Sequence, residues 1–208
     1  MIEFTEEDIK FCVDMAIKRN KPKTNQTISR GWPPLIKHVM GVYAEYACQK
    51  YLNATMDWNL YGKRGDRSKP DGVLPDGRKL IVKSVALPKS IWIPKDCLDN
   101  ASSSDVVVAV QVIPTVCKTT VPSMNATPSP SETHPVIIQG YTFQDIKFLG
   151  WLPVKEFLKL GSINNKHYEA AESVPGIKLR RDICWVTPKS ALWDIRSLCH
   201  NKIEVSRI

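Results

Sequence analysis

Cysteine pairs, clustered histidines and long apolar runs are all missing from this sequence, and each absence closes off a class of protein. The six cysteines, Cys12, Cys48, Cys97, Cys117, Cys184 and Cys199, form no Cys-x-x-Cys pair and keep no regular spacing, and the four histidines are scattered, so a zinc site has no support. With no secretory leader ahead of them, the cysteines read as reduced thiols of a cytoplasmic protein rather than as a disulfide framework. The chain opens on acidic residues without an apolar h-region, and no apolar run reaches roughly 18 residues, which excludes a signal peptide and a membrane span. No internal repeat, P-loop, GxGxxG, GxSxG or HExxH pattern is present, so nothing points to the nucleotide, dinucleotide, serine-hydrolase or zinc-protease chemistries those patterns carry.

What is present is ordinary in bulk and unusual in charge. At 208 residues the chain reads as a single domain, 1–208, with enough length for a full core, and 43% hydrophobic with 24% charged residues is typical of a globular protein. The 29 basic residues outnumber the 21 acidic ones, giving +8 and a pI near 9.2. That excess favours a polyanionic partner, nucleic acid first; the plainer alternative is a basic surface with no specific partner.

Taken in order, Thr5-Glu6-Glu7-Asp8 starts a helix: a hydroxyl cap, an acid three residues on, and carboxylates at the positive end of the dipole. Ile9, Val13, Ala16 and Ile17 carry helical spacing to about Arg19, and the basic stretch Lys18 to Lys23 reads as a solvated linker, with a phosphate-contacting arm as the alternative. Pro33-Pro34 signals a second helix, Leu35 to Leu52, apolar over most of its girth and so buried on several sides. Glu45 falls on its narrow polar stripe with His38 and Gln49, facing either solvent or a cleft, and Gly41 one turn earlier permits a close approach to the backbone.

Met56 to Tyr61 reads as a strand, followed by a loop whose Lys63, Arg64, Arg67 and Lys69 are candidate contacts to a nucleic-acid backbone. Ser90 to Pro94 is a short strand, and Asp105 to Ile113 is a β-branched run of the kind covered on both faces. Residues 114–135 turn rich in Pro, Ser and Thr and read as a long loop or insertion. Strands are predicted again at Val136–Gln139, Ile146–Leu152 and Ile177–Val186, with a short helix at Pro153–Leu160 closed by Gly161. A last helix, capped by Thr187-Pro188, is predicted to run to Cys199 with Leu192, Ile195 and Cys199 inward. The six tryptophans read as core or rim anchors, with base stacking the alternative for any one of them.

The stretch Asp66 to Ser84 carries the most information. Pro75-Asp76-Gly77 predicts a type I turn with Gly77 left-handed, closing a three-residue hairpin loop with a bulge. The register that follows pairs Leu74 with Arg78, Val73 with Lys79, Gly72 with Leu80 and Asp71 with Ile81, which puts Asp71, Ile81 and Lys83 on one side. A two-residue turn at Asp76-Gly77 would instead set Asp71 opposite Val82.

An acid on one strand, a tight turn and a Lys on the next strand resemble the active-site hairpin of the PD-(D/E)XK nuclease superfamily. Pro70-Asp71 matches the Pro-Asp element, Ile81-Val82-Lys83 occupies the acid-x-Lys element, and Glu45 stands where the family carries a helix glutamate. Ile81 departs from the pattern, because the family has an acid or Gln there. The resemblance spans roughly Pro33 to Trp151 by order of elements. It implies an α/β domain with a central mixed β-sheet flanked by helices, of restriction-endonuclease-like type. It also implies catalytic roles for Glu45, Asp71 and Lys83, and a Mg²⁺ or Mn²⁺ ion held by Glu45, Asp71 and the Val82 carbonyl in an active enzyme.

Such a site suits phosphodiester hydrolysis, which requires shielding a polyanion and producing an in-line water nucleophile. Ile81 removes one expected carboxylate, and Asp66 in the adjoining loop is a candidate substitute. The first expectation is therefore a metal-dependent nuclease acting on DNA. The second is a catalytically lapsed nuclease fold that still binds DNA, and the third a protein-interaction module in which Ile81 is simply core. A homodimer is left open, and no membrane partner is expected.

Overall fold

The computed structural model describes residues 2–20, 32–60, 69–86, 91–94, 97–98, 100–116, 141–160, 183–186 and 192–200. Helix α1 runs Glu6–Asn20 and starts as its sequence predicts: the Asp8 N–H donates to Thr5 Oγ1 (3.2 Å) while the Thr5 N–H donates to Asp8 Oδ2 (2.8 Å). Cys12 and Ala16 on α1 are fully buried, whereas Ile17, expected inward, is 38% exposed. Helix α2, Pro34–Leu52, begins behind Pro33 and ends at Asn53, which takes the left-handed conformation (φ 52°). Ile36, Val39, Met40, Val42, Tyr43 and Ala47 are all buried, because α1 covers one flank of α2 and the sheet covers another.

The strands are β1 (Thr55–Met56), β2 (Gly72–Val73), β3 (Lys79–Val85), β4 (Ile91–Pro94), β5 (Val106–Val116) and β6 (Tyr141–Pro153). Helix α3 (Val154–Leu160), strand β7 (Ile183–Val186) and helix α4 (Ile195–His200) complete the described elements. Five strands form a mixed open sheet in the order β1-β2-β3-β5-β6, in which β3 and β5 are parallel and the other neighbours antiparallel. Strands β4 and β7 make a separate antiparallel pair. The architecture is α/β, a mixed open sheet with helices, and no described helix is long and apolar enough to cross a membrane.

Strand β5 is the centre of the core. Its alternation sends Val106, Val108, Val110 and Val112 into the cluster with α1 and α2, and Val107 and Ala109 into a second cluster with Ile91, Ile93, Leu98 and Phe157. Asp105, buried at the head of β5, accepts the N–H groups of Lys79 (2.9 Å) and Ser102 (2.7 Å), fixing the start of β3 beside it.

Several elements depart from their predicted bounds. Of the strand predicted over Met56–Tyr61, residues 57–60 are not in a strand and Tyr61 lies outside the described residues; β1 is Thr55–Met56, because Asp57 Oδ1 accepts the Asn59 N–H (3.0 Å) and turns the chain away. Strand β5 outlasts its prediction and takes the first residues of the Pro-rich segment with it. Pro114 pairs with Phe143 on β6 only, beyond the last β3 partner at Gln111, so its missing N–H interrupts no central ladder. Helix α4 starts later than predicted, because Trp193 is held in a bridge with Trp151 (N–H to O distances 3.0 and 2.9 Å) and cannot be helical. Asp194 caps it instead, accepting the Arg196 N–H (2.9 Å), and the buried residue is Leu198, which the sequence reading did not single out. The strand at Val136–Gln139, the rest of 114–135 after Val116, residues 177–182, Gly161 and Thr187-Pro188 lie outside the described residues.

At Gly72 β1 lies close against β2: a Cβ there would sit 2.7 Å from both the Thr55 carbonyl oxygen and Met56 Sδ. Gly72→Ala is therefore expected to destabilise the fold by about 1–3 kcal/mol, read as a lower urea midpoint. An unchanged midpoint would show that β1 does not press on β2.

Candidate functional site

The hairpin adopts the three-residue loop. The Gly77 N–H donates to the Leu74 carbonyl (2.9 Å), the Leu74 N–H to the Arg78 carbonyl (2.9 Å), and Gly77 has φ +87°. Asp76 pins the turn by accepting the Arg78 N–H (3.1 Å) and Nε (2.8 Å). The pairs Gly72–Leu80 and Val73–Lys79 follow the predicted register, and the two-residue alternative is not the one adopted.

Asp71 lies where that ladder ends. By the alternation of rungs the next would join Pro70 to Val82, and Pro70 has no N–H to exchange. The chain bends at Asp71, and its carboxylate takes the vacant rung: the Val82 N–H donates to Asp71 Oδ2 at 2.6 Å. Its backbone is fixed on both sides, the N–H donating to the Leu80 carbonyl (2.8 Å) and the carbonyl accepting the Asp57 N–H (2.9 Å).

This corrects one expectation. Asp71, Ile81 and Lys83 do not form a cluster on one face, because Asp71 reaches the edge of β3 at Val82 rather than lying over Ile81. Ile81 is 4% exposed and packs with Ile91, Ile93, Leu98 and Val107 in the second core. The position at which the resembled pattern carries an acid is here an apolar core position.

Glu45 comes from α2 and does not face open solvent. One nitrogen of Arg19, Nη1, donates to both its oxygens, at 2.8 and 2.7 Å, in a pair that is 20% exposed on the arginine and 12% on the glutamate. Arg19 Nη2 donates to the Asp57 carbonyl (3.3 Å), and the guanidinium carbon lies 5.4 Å from the centre of the Trp58 ring. Trp58 in turn donates from Nε1 to Gln49 Oε1 (2.8 Å), one turn along α2 from Glu45.

Glu45, Asp71 and Lys83 feel one another's charge. Burial, then the nearby Asp71 carboxylate, pushes Glu45 up to about 7, against the pull of Arg19 and Lys83. Burial likewise pushes Asp71 above the ordinary aspartate range, opposed by Lys83, the Val82 N–H and Arg19, while Asp57 adds to the rise. Cys48 is buried beside the pair, its thiol pushed up by burial and then by Asp71 and Glu45. The structure thus brings the three residues into one electrostatic neighbourhood, with Val82 supplying its backbone. Among the described residues no three His, Cys, Asp or Glu side chains form a group able to hold a metal ion. A cavity of about 650 Å³ shares Trp58 and Gln49 with this network and is lined also by Phe11 and Tyr46, but by none of Glu45, Asp71 and Lys83.

Of the residues expected to hold a nucleic-acid backbone, Lys69 is described and exposed; Lys63, Arg64 and Arg67 lie outside the described residues, as does Asp66. Arg19 is the residue that sequence reasoning missed, having been assigned to a solvated linker. A signal was present: Arg19 follows Cys12 and Ala16 at i+7 and i+3, on the buried stripe of α1.

No protein-family model, curated protein or solved structure matches the chain.

The raised acids make a pH prediction. In an unfolded chain Glu45 would titrate near 4.5, and in the folded one near 7, so between those values the folded state holds the extra proton. Stability then falls as pH rises through that window, and Glu45→Gln removes that part of the slope. Urea unfolding across the window checks it: parent and variant with equal slopes would contradict the assignment.

Proposed function

We propose that this chain is a nuclease-type domain of the PD-(D/E)XK kind, restriction-endonuclease-like in fold, that binds DNA and hydrolyses its phosphodiester bonds with Mg²⁺ or Mn²⁺. The observation that carries the reading is the Asp71 carboxylate, fixed on the Val82 N–H where the β2–β3 ladder stops, with Glu45 and Lys83 near enough for their charges to act on the acid pair.

The donors present fit a hard divalent cation. Asp71 and Glu45 offer carboxylates in a part-buried setting, where two acids held above their ordinary pKa gain from an added positive charge. In an extended strand a residue's N–H and C=O point to the same edge, so the Val82 carbonyl lies on the side from which Asp71 reaches its N–H. Mg²⁺ keeps several waters, so two carboxylates and a carbonyl suffice for a weak site. When bound, such an ion supplies shielding of the phosphate and a water of lowered pKa.

The chain's own groups have separate tasks. Asp71, tied by backbone on both sides and by Val82, fixes the position of one carboxylate. Lys83 acts by charge on Asp71, and in this role it would steady negative charge building on a phosphate and orient an attacking water. The overall +8 charge draws a polyanion to the surface, and Lys69 is exposed close to Asp71 in sequence.

A second reading, a lapsed nuclease that binds DNA without cutting it, is favoured by two specific observations. Ile81 is in the core instead of being an acid, and Arg19 already neutralises Glu45. Loss of one metal-orienting group commonly lowers affinity or activity by roughly 10–100-fold.

Incubation with supercoiled plasmid separates the two. The first reading expects nicking that requires Mg²⁺ or Mn²⁺ and falls by about 100-fold or more in Asp71→Ala and in Lys83→Ala. Salt-sensitive retention of DNA without cleavage would leave the second reading, and neither cleavage nor retention would overturn both.

A further inference from the structure

Arg19 makes contacts that a plain surface ion pair does not. A single guanidinium nitrogen spans both oxygens of Glu45, at 2.8 and 2.7 Å, and the second nitrogen reaches the Asp57 carbonyl at 3.3 Å. Asp57 is also the residue whose N–H holds the Asp71 carbonyl, so Arg19 touches the framework of both carboxylates. It comes from the last turn of α1, on a long side chain whose guanidinium rests over the Trp58 ring.

We propose that Arg19 is the site's internal counter-cation: it holds Glu45 in the absence of a divalent ion and gives up that carboxylate when the ion loads. The proposal rests on the reading that Glu45 and Asp71 take a divalent cation. The physical reason is competition for the same lone pairs. A metal on Glu45 would draw on the same two oxygens that Nη1 now spans, and the two positive charges would repel each other across them. Without Arg19, Glu45 would be left beside Asp71 in a poorly hydrated setting with only Lys83 to offset the pair. Arg19 therefore keeps the ion-free site folded and weakens its affinity for the ion. On release, the guanidinium keeps the Asp57 carbonyl and the Trp58 ring as a second resting place, so the exchange requires movement of one side chain and not of α1.

The alternative is a staple that merely fastens α1 to α2. The two differ in what removing Arg19 does to metal binding. Mn²⁺ titrations by calorimetry on the full chain compare the parent with Arg19→Gln, Arg19→Lys and the double variant Arg19→Gln/Glu45→Gln. Arg19→Gln is expected to bind Mn²⁺ more tightly by on the order of tenfold, Arg19→Lys to fall between, and the double variant to lose the gain. A second readout uses Trp58: Mg²⁺ should change the tryptophan emission of the parent, and the change should vanish in Trp58→Phe and in Arg19→Gln. Should Arg19→Gln fail to fold, the Lys variant and the emission change carry the test. Equal Mn²⁺ affinity in parent and variants would overturn the exchange and leave the metal reading standing. No Mn²⁺ binding in any chain would remove both.

Discussion

The N–H of Val82 sits part-way along a buried strand and must find an acceptor, and the neighbouring strand leaves the ladder at Asp71, one residue short of the rung that would serve it. A short, strong contact from the Asp71 carboxylate resolves that constraint, and the rest of the neighbourhood follows from it. Because the carboxylate is spent partly on the backbone, its position is set by the hairpin and not by rotamer choice. Because it ends the ladder, the edge of β3 beyond it is left for other groups. α2 packs across the Leu80 and Val82 face and presents Glu45 there, while Lys83 adds its charge from the strand itself. Placement of an acid by hydrogen bonds to the main chain is an economical way to build a rigid site.

The charges balance in an instructive manner. Glu45 and Asp71, with Asp57 near the latter, share one part-buried region with Arg19 and Lys83, and Glu45 and Asp71 are still held above their usual pKa. Desolvation therefore outweighs the attraction of the cations, as is common when ionic groups leave water together. Ile81 takes no part in this balance, being turned to the opposite core. An acid at that position would have to leave the company of Ile91, Ile93 and Val107, so the apolar residue is required by packing as the strand now stands.

Much of this was legible in the residues, and the reasons for what was not are physical. The capping box at Thr5 and Asp8, the Pro-flanked α2 and the Pro75-Asp76-Gly77 turn are local devices, decided by residues within a few positions of each other. The β5 run was readable because alternating burial in two cores demands apolar residues throughout. Arg19 was not, because a cation at a helix end is satisfied equally by water, by the dipole or by a glutamate from a distant helix, and only the fold chooses. Helix α4 was misplaced at its start for a similar reason: Trp193 is committed to a bridge with Trp151, about forty residues away in the chain, a contact no local pattern encodes. The side to which Asp71 turns also depended on tertiary context, since register alone fixed the strand pairing but not the bend that ends it.

The Trp151–Trp193 bridge has a consequence for the sheet as a whole. Among the described strands β6 is the last in the order, with 13 residues, and a long border strand of that kind readily pairs with a strand from another molecule. At Trp151 both main-chain groups are already taken by Trp193, the indole is sealed by Asp194 and Ser197, and a side chain at Gly150 would collide with the Trp193 carbonyl. The segment around Trp193 thus acts as a guard on that border, and a chain cut short before it would expose hydrogen-bonding groups and an apolar ring at a place suited to self-association.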